Sequence, residues 1–208
     1  FLERYYGNLV NETTIEIGTS ELISMAVNTM TAFADYADAD ASANEDAGGV
    51  GSTYAIPASY EIADGANNVK NIVFRDSGGT ALEVTMSQAT LTISNNVREQ
   101  PAIGYEFTAG MTAGKVGASL SGTAYYFDDT LLKAHMTNGT LSAEFEIETP
   151  EGSFMVYLPK LRAEAPTANS QGENQDYTQS VTLTAERGSM NLGGVDTTCV
   201  IAVIRKPA

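Results

Sequence analysis

One histidine, His135, limits the side-chain chemistry that this chain can assemble. A two-histidine metal centre is out of reach, and a Ser-His-Asp arrangement would have to take its base from His135. That residue lies in TLLKAHMTN, residues 130–138, whose spacing predicts a short amphipathic helix with Leu131, Leu132 and His135 toward one side. The ring is therefore expected on the helix surface or half-buried against a sheet. Asp38, Asp40, Ser42 and Asn44 imitate the start of a calcium loop, but Ala43 stands where the turn needs glycine and Gly49 where the bidentate glutamate belongs. A solvated loop is the better reading. No P-loop, GxGxxG or CxxC pattern occurs, and the carboxylates are too numerous to single out a glycosidase pair. Cys199 sits in the apolar run TTCVIAVI and is expected to be a buried core thiol. Two sequons, Asn11-Glu12-Thr13 and Asn138-Gly139-Thr140, are short enough to arise by chance. The pairs Tyr5-Tyr6 and Tyr125-Tyr126 could stack sugars or bases, but on alternating strands they more often put one ring in a core and one at an interface. No metal, no cofactor and no catalytic residue follows from these patterns.

Composition bounds the partners. The 208 residues suffice for one large domain with a real core. Charged residues are 18% against 43% hydrophobic, and the usual charged share is about 25%. Part of the surface is thus expected to be buried by partners. Twenty-six acidic residues oppose 11 basic ones, a net charge of −15, which disfavours tight binding to phosphate backbones. The same repulsion would suit a channel that nucleic acid slides through, or plain solubility. A single cysteine excludes an internal disulfide framework, and no apolar stretch approaches the ~20 residues of a membrane span. The chain opens at Phe1 without a methionine, and we expect it to be part of a longer product.

The elements that would position side chains are mainly strands. Thr and Ile alternate over residues 13–17, followed by a turn at Gly18-Thr19-Ser20-Glu21. The period of residues 22–33 fits either a helix or a strand. Residues 34–52 read as an acidic, Gly-rich loop. Residues 54–63 and 70–76 predict two short strands joined by residues 64–68, and Gly78-Gly79 marks a hairpin turn. In ALEVTMSQATLTISN the apolar parity reverses, so a bulge or bend is expected near Ser87-Gln88. Asn95-Asn96 ends that strand, Pro101 interrupts any ladder, and Gly110 and Gly114 predict a loop. KVGASLSGTAYYF is a strand whose one face carries small residues, Gly122 among them, that permit close approach. Asp128-Asp129-Thr130 is expected to cap the helix and Asn138-Gly139 to stop it. TLSAEFEIET and SFMVYLPKLR form a hairpin. Residues 163–178 read as irregular, and two closing strands flank a turn region at 187–194. The fold class expected is mainly β, an antiparallel sandwich or barrel with one short flanking helix.

Residues 91–104, LTISNNVREQPAIG, and the later SGTAYYFDDTLL resemble the tail tube (major tail) proteins of long non-contractile-tailed bacteriophages. The residues carrying the resemblance are Asn95, Asn96, Arg98, Glu99, Gln100, Pro101, Ile103 and Gly104, then Gly122, Thr123, Tyr126, Phe127, Asp128, Asp129 and Leu131. Gly152, Leu158, Pro159, Lys160, Leu161 and Asp176 continue it downstream, and Gly7, Asn8, Val10, Asn11, Glu21 and Phe33 precede it. The match implies that residues 22–33 are a strand and that the fold is the tail-tube β-sandwich. It departs from the family at residues 35–51 and 104–115. Either residues 1–208 are one tube region, or 1–52 end a preceding duplicated subdomain and 53–208 are the main tube domain. The function implied is structural and not enzymatic: a virion protein, made in the bacterial host cytoplasm, that forms stacked rings of six tube domains as the conduit for DNA ejection. Its partners would be further copies of itself and other tail proteins, with DNA passing through the lumen without specific binding and no membrane contact. Asn95, Asn96, Arg98, Glu99, Gln100, Pro101, Gly104, Gly122, Tyr126, Phe127, Asp128 and Asp129 are the assembly candidates. A secreted β-sandwich adhesion or ligand-binding module is the alternative.

Overall fold

The computed structural model describes residues 2–19, 21–37, 63–104, 108–125, 129–149, 152–169, 176–192 and 194–207. The readings of residues 54–62, of the calcium-like positions Asp38, Asp40, Ser42 and Asn44, and of Tyr126, Phe127 and Asp128 lie outside these. The chain divides into two compact units.

The larger unit comprises Glu12–Val27, Glu61–Ser94 and Val116–Ala208. Its strands are antiparallel: β2 (Leu9–Gly18), β3 (Ser24–Met30), β5 (Val69–Arg75), β6 (Ala81–Leu82), β7 (Met86–Ser94), β10 (Gly117–Tyr125), β11 (Thr140–Thr149), β12 (Gly152–Ala163), β13 (Thr167–Asn169), β14 (Thr178–Ala185) and β17 (Ala202–Pro207). Their order is β3-β2-β7-β10-β14-β12-β11-β5-β6, with β13 on β14 and β17 on β12. The two ends of this order come together. Leu22 bridges Asp64, the Ile23 amide donates to the Ala63 carbonyl at 3.0 Å, and the Gly65 amide donates to the Glu21 carbonyl at 3.0 Å. A sheet whose opposite ends meet must roll back on itself, as the right-handed twist of strands favours. The roll encloses Phe74, Leu91, Leu120, Phe145, Leu158, Leu161 and Leu183, all almost fully buried. Buried residues recur at every second position, as in Ala89 and Leu91, Ala118 and Leu120, Leu141, Ala143 and Phe145, and Val181 and Leu183, the period that puts one face inward; Leu158 and Leu161 are three apart because β12 bulges between them. Gly65 is required where the ends meet, because a Cβ there would lie 1.8 Å from the Gly18 carbonyl oxygen.

The expected bulge is present. Thr123 pairs with Gln88 but Ala124 pairs with Met86, so Ser87 is the extra residue. Its hydroxyl donates to the Thr123 carbonyl at 3.2 Å, and the Thr19 hydroxyl donates to its carbonyl at 2.6 Å. The insertion returns Met86 to the face of Ala89 and Leu91, which accounts for the reversed parity. Residues 22–33 hold β3, as the resemblance implies.

Helix α1, Thr130–Met136, buries Leu131 alone; Leu132 and His135 are exposed. Asp129 occupies the N-cap without a side-chain cap bond and instead pairs with Lys133 at 2.7 Å. At the other end Asn138, with φ 52°, takes the left-handed position, and the Gly139 amide donates to the Ala134 carbonyl at 2.8 Å. The stop thus uses Asn138 as the left-handed residue and Gly139 as the one after it.

Several expectations need correction. Residues 187–194 are no simple turn: β15 (Gly188–Leu192) and β16 (Val195–Cys199) form a two-stranded hairpin. Cys199 is half-buried at the end of that hairpin with its Sγ 3.5 Å from Met190 Sδ, because its strand belongs to this two-stranded ribbon and not to the large sheet around the core. Residues 167–169 of the supposed irregular stretch pair with β14 as β13. The predicted loop around Gly110 contains a strand, described next.

The smaller unit comprises Phe1–Asn11, Asn28–Tyr60 and Asn95–Lys115. In it β1 (Leu2–Tyr6) pairs with β4 (Phe33–Ala37), so part of the acidic stretch is also strand. The short β8 (Arg98–Gln100) pairs with β9 (Gly110–Thr112). Gly110 is tolerated there because β9 is only three residues long and its ladder is supplemented by side chains, the Gln100 Nε2 donating to the Thr112 hydroxyl at 2.6 Å.

Candidate functional site

Alternation in four neighbouring strands produces a surface as well as a core. The residues of β2, β7, β10 and β14 that point away from the apolar interior are Thr14, Thr92, Ser119 and Thr184 in one cross-strand row and Glu16, Thr90, Ser121 and Thr182 in the next. Glu12 and Ser94 continue the pattern at one end, and Gln88, Thr123 and Ser180 at the other. None of the four strands contains a lysine or arginine. The result is a broad carpet of hydroxyls with acidic residues at its β2 margin. Threonine suits it, since its branched Cβ favours the strand while its hydroxyl faces water. Such a face is polar enough to stay wetted, and its four strands supply no cation to hold a phosphate.

Among the described residues, five cations of the larger unit are held in ion pairs, among them Arg162 of β12, which lies cross-strand from Thr184 and extends the first row at the β14 margin. Lys70 and Arg75 on β5 pair with Glu148 and Glu144 on β11 at 2.5 and 2.6 Å, which raises the pKa of both bases. Lys160 and Arg162 converge on Glu186 at 2.9 and 2.5 Å and hold its carboxyl below the usual range, the Lys160 bond being the larger cause. Asp64 is likewise lowered, chiefly by the Asn67 amide, in the turn before β5.

Past the end of β2, strand β3 closes the order and pairs only with β2 among the described residues. Both of its faces are open, since every residue from Ser24 to Thr29 is exposed; Met25, at 64%, and Val27, at 47%, share one of them. It contains no lysine or proline, the residues that usually blunt a free edge.

The corner at residues 95–97 is locked by backbone-directed amides. The Asn95 amide donates to the Asn11 carbonyl at 2.7 Å and its Nδ2 to the Val10 carbonyl at 2.8 Å. Asn11 Oδ1 accepts from the Val97 amide at 2.9 Å, and Asn96 Nδ2 donates to the Lys115 carbonyl at 2.7 Å. Asn96 has φ 48°, a conformation that asparagine bears better than most residues. From this corner β8 carries Arg98, Glu99 and Gln100, all exposed, to Pro101, where pairing stops. Ile103 is fully exposed and Gly104, at φ 86°, turns the chain.

The sequence-derived candidates therefore fall in two places. Residues 95–104 build the corner and ribbon of the smaller unit, while Gly122 and Asp129 belong to the larger one. Gly122 makes its close approach within the sheet: a Cβ there would lie 2.0 Å from the Gln88 carbonyl oxygen. Sequence reasoning missed the hydroxyl face. Its signal was the Thr/Ser alternation in residues 88–94, 119–123 and 178–184, but strand neighbours cannot be read from one sequence.

His135 Nδ1 lies 3.0 Å from the Ala163 carbonyl oxygen, a bond made in the Nδ1–H tautomer. Among the described residues no three His, Cys, Asp or Glu side chains group closely enough to hold a metal ion, and no helix is long and apolar enough to cross a membrane. A family model described as Phage tail tube protein matches residues 1–185. No curated protein matches the chain.

Proposed function

The chain belongs to the phage tail tube protein family, as a structural component of the phage tail, and on that premise we propose that it assembles head to tail into rings that stack around a DNA-conducting lumen. In this reading each ring carries six tube domains, as a hexamer of single domains or a trimer of duplicated ones, and residues 1–52 close a preceding tube-like subdomain in the second case. A head-to-tail contact is heterologous and closes into a ring when its rotation divides the circle. The edge of β3, which pairs only with β2 among the described residues, supports this, since a neighbouring strand would satisfy its backbone groups and cover Met25 and Val27.

The observation that carries the proposal is the hydroxyl face of β2, β7, β10 and β14. A lumen wall must be wet and must not grip a polyanion. The four strands of this face offer serine and threonine hydroxyls, Glu12 and Glu16, and no cation, and Arg162 at the β14 margin is held by Glu186. The candidates Asn95, Asn96, Arg98, Glu99, Gln100, Pro101 and Gly104 then serve contacts between subunits, and Gly122 and Asp129 shape the sheet and its bracing helix.

Negative-stain microscopy of the purified protein tests assembly: rings or tubes with a central hole are expected, and particles that stay monomeric at every concentration and salt would refute it. Ser121→Lys and Thr92→Lys test the face. Both variants are expected to assemble and to gain salt-sensitive DNA retention that Lys substitutions on the outer face of β11 do not give. Equal retention by both sets would remove the hydroxyl face from the lumen.

A further inference from the structure

The ribbon of β8 and β9 ends in a feature that its own unit does not use. Ile103 is fully exposed, beside Pro101 and Ala102, which are exposed as well. A fully exposed isoleucine on a hairpin braced by Gln100, Thr108 and Thr112 costs solvation and returns no packing within the described residues. Arg98, at the base of the ribbon, has no ion-pair partner among the described residues, and Glu99 projects from the opposite face of the strand.

The larger unit carries a matching recess. Where β6 and β7 part, a cleft of about 610 Å³ opens, lined by Ile17, Val69, Ile72, Leu82, Val84 and Met86. Glu83 is exposed at this cleft and also lacks an ion-pair partner among the described residues. The cleft offers these apolar side chains beside the polar Thr19, Thr85, Ser87 and Gln88, with one carboxylate; the ribbon offers Ile103 with a guanidinium.

We propose that the occupant of this cleft is the β8–β9 ribbon tip of a second copy of the chain, with Ile103 seated among Val84, Leu82 and Met86 and Arg98 paired to Glu83. The inference rests on the tube reading, which supplies the second copy, and adds which surfaces meet. Knob and recess lie on different parts of one molecule, so the contact is heterologous and propagates from subunit to subunit. The charge pair fixes the register of an otherwise greasy contact and opposes slippage to other apolar surfaces. In a chain of net charge −15, copies repel one another, and a cation placed at the contact offsets that locally.

The test uses exposed positions so that folding is kept. Ile103→Asp is expected to raise the concentration at which rings appear by about tenfold to a hundredfold, the range given by full burial of one isoleucine. Arg98→Glu and Glu83→Arg should each impair assembly, and the double charge reversal should restore it. In a Cys199→Ser background, Ile103→Cys mixed with Glu83→Cys should give a disulfide-linked dimer that neither forms alone. Rings that persist unchanged in Ile103→Asp, or a double reversal no better than the single ones, would overturn this contact and leave the tube reading standing. A wild type that forms no rings would sink the tube reading and the contact with it. Circular dichroism and Tm equal to wild type confirm that each variant is folded.

Discussion

Gly122→Ala is expected to destabilise the larger unit by about 3 kcal/mol, at the upper end of what an added methyl costs in a filled interior. A Cβ at Gly122 would lie 2.0 Å from the Gln88 carbonyl oxygen, 2.7 Å from Met86 Cε and 2.9 Å from the Gln88 carbonyl carbon. The Met86 methyl can swing aside, but the two Gln88 atoms are backbone, fixed by the ladder of β7 with both β2 and β10. Relief therefore requires β7 and β10 to separate at the Ser87 bulge, which breaks the pairing of Thr123 with Gln88. For a chain of this size about 3 kcal/mol corresponds to a fall in Tm of roughly 6–12 °C. Gly117→Ala is the control, in the same strand, with nothing within 4 Å of the new methyl. It should be neutral or stabilising by up to about 1 kcal/mol, since it removes unfolded-state freedom. Urea unfolding followed by circular dichroism compares the two, and the Gly122→Ala midpoint should drop with its slope unchanged. Equal midpoints for the two variants would refute the reasoning, because they would mean that the bulge yields without cost.

Two further outcomes are expected. Leu131→Ala should cost about 2–5 kcal/mol, as for other buried leucines, whereas Leu132→Ala one position on should be close to neutral; denaturant midpoints distinguish them. Glu186 has a folded-state pKa below its unfolded value, so its pairing with Lys160 and Arg162 stabilises the fold above the ordinary carboxylate range and is lost as pH falls through the lowered folded value. The Tm of Glu186→Gln should therefore lie below wild type at neutral pH and converge with it on acidification; a gap that widens in acid would contradict the assignment.

Much of the strand content is legible in the residues. Leu141, Ala143 and Phe145 alternate with polar neighbours because β11 has one dry face, and the reversed parity after Val84 announces the Ser87 bulge. Asn95 and Asn96 read as a strand end, although the bonds to Val10, Asn11 and Lys115 that lock the corner join positions far apart in the chain. The short strands β9, β13 and β15 are not legible because three to five residues carry too little of the two-residue period to show it. They are strands only because β8, β14 and β16 lie beside them. The apolar neighbours of Cys199 predict a core position, but its strand ends a two-stranded ribbon outside the large sheet.

By itself the sequence determines an acidic, strand-rich chain with a single histidine and motifs of the tail tube family. These are properties of composition and of local period. Which strands are neighbours, and so whether Thr92, Ser119, Ser121 and Thr182 are scattered hydroxyls or one continuous surface, was decided only by the tertiary structure. Register is set by hydrogen-bonded pairing across the sheet, and pairing depends on contacts between residues that no local window contains.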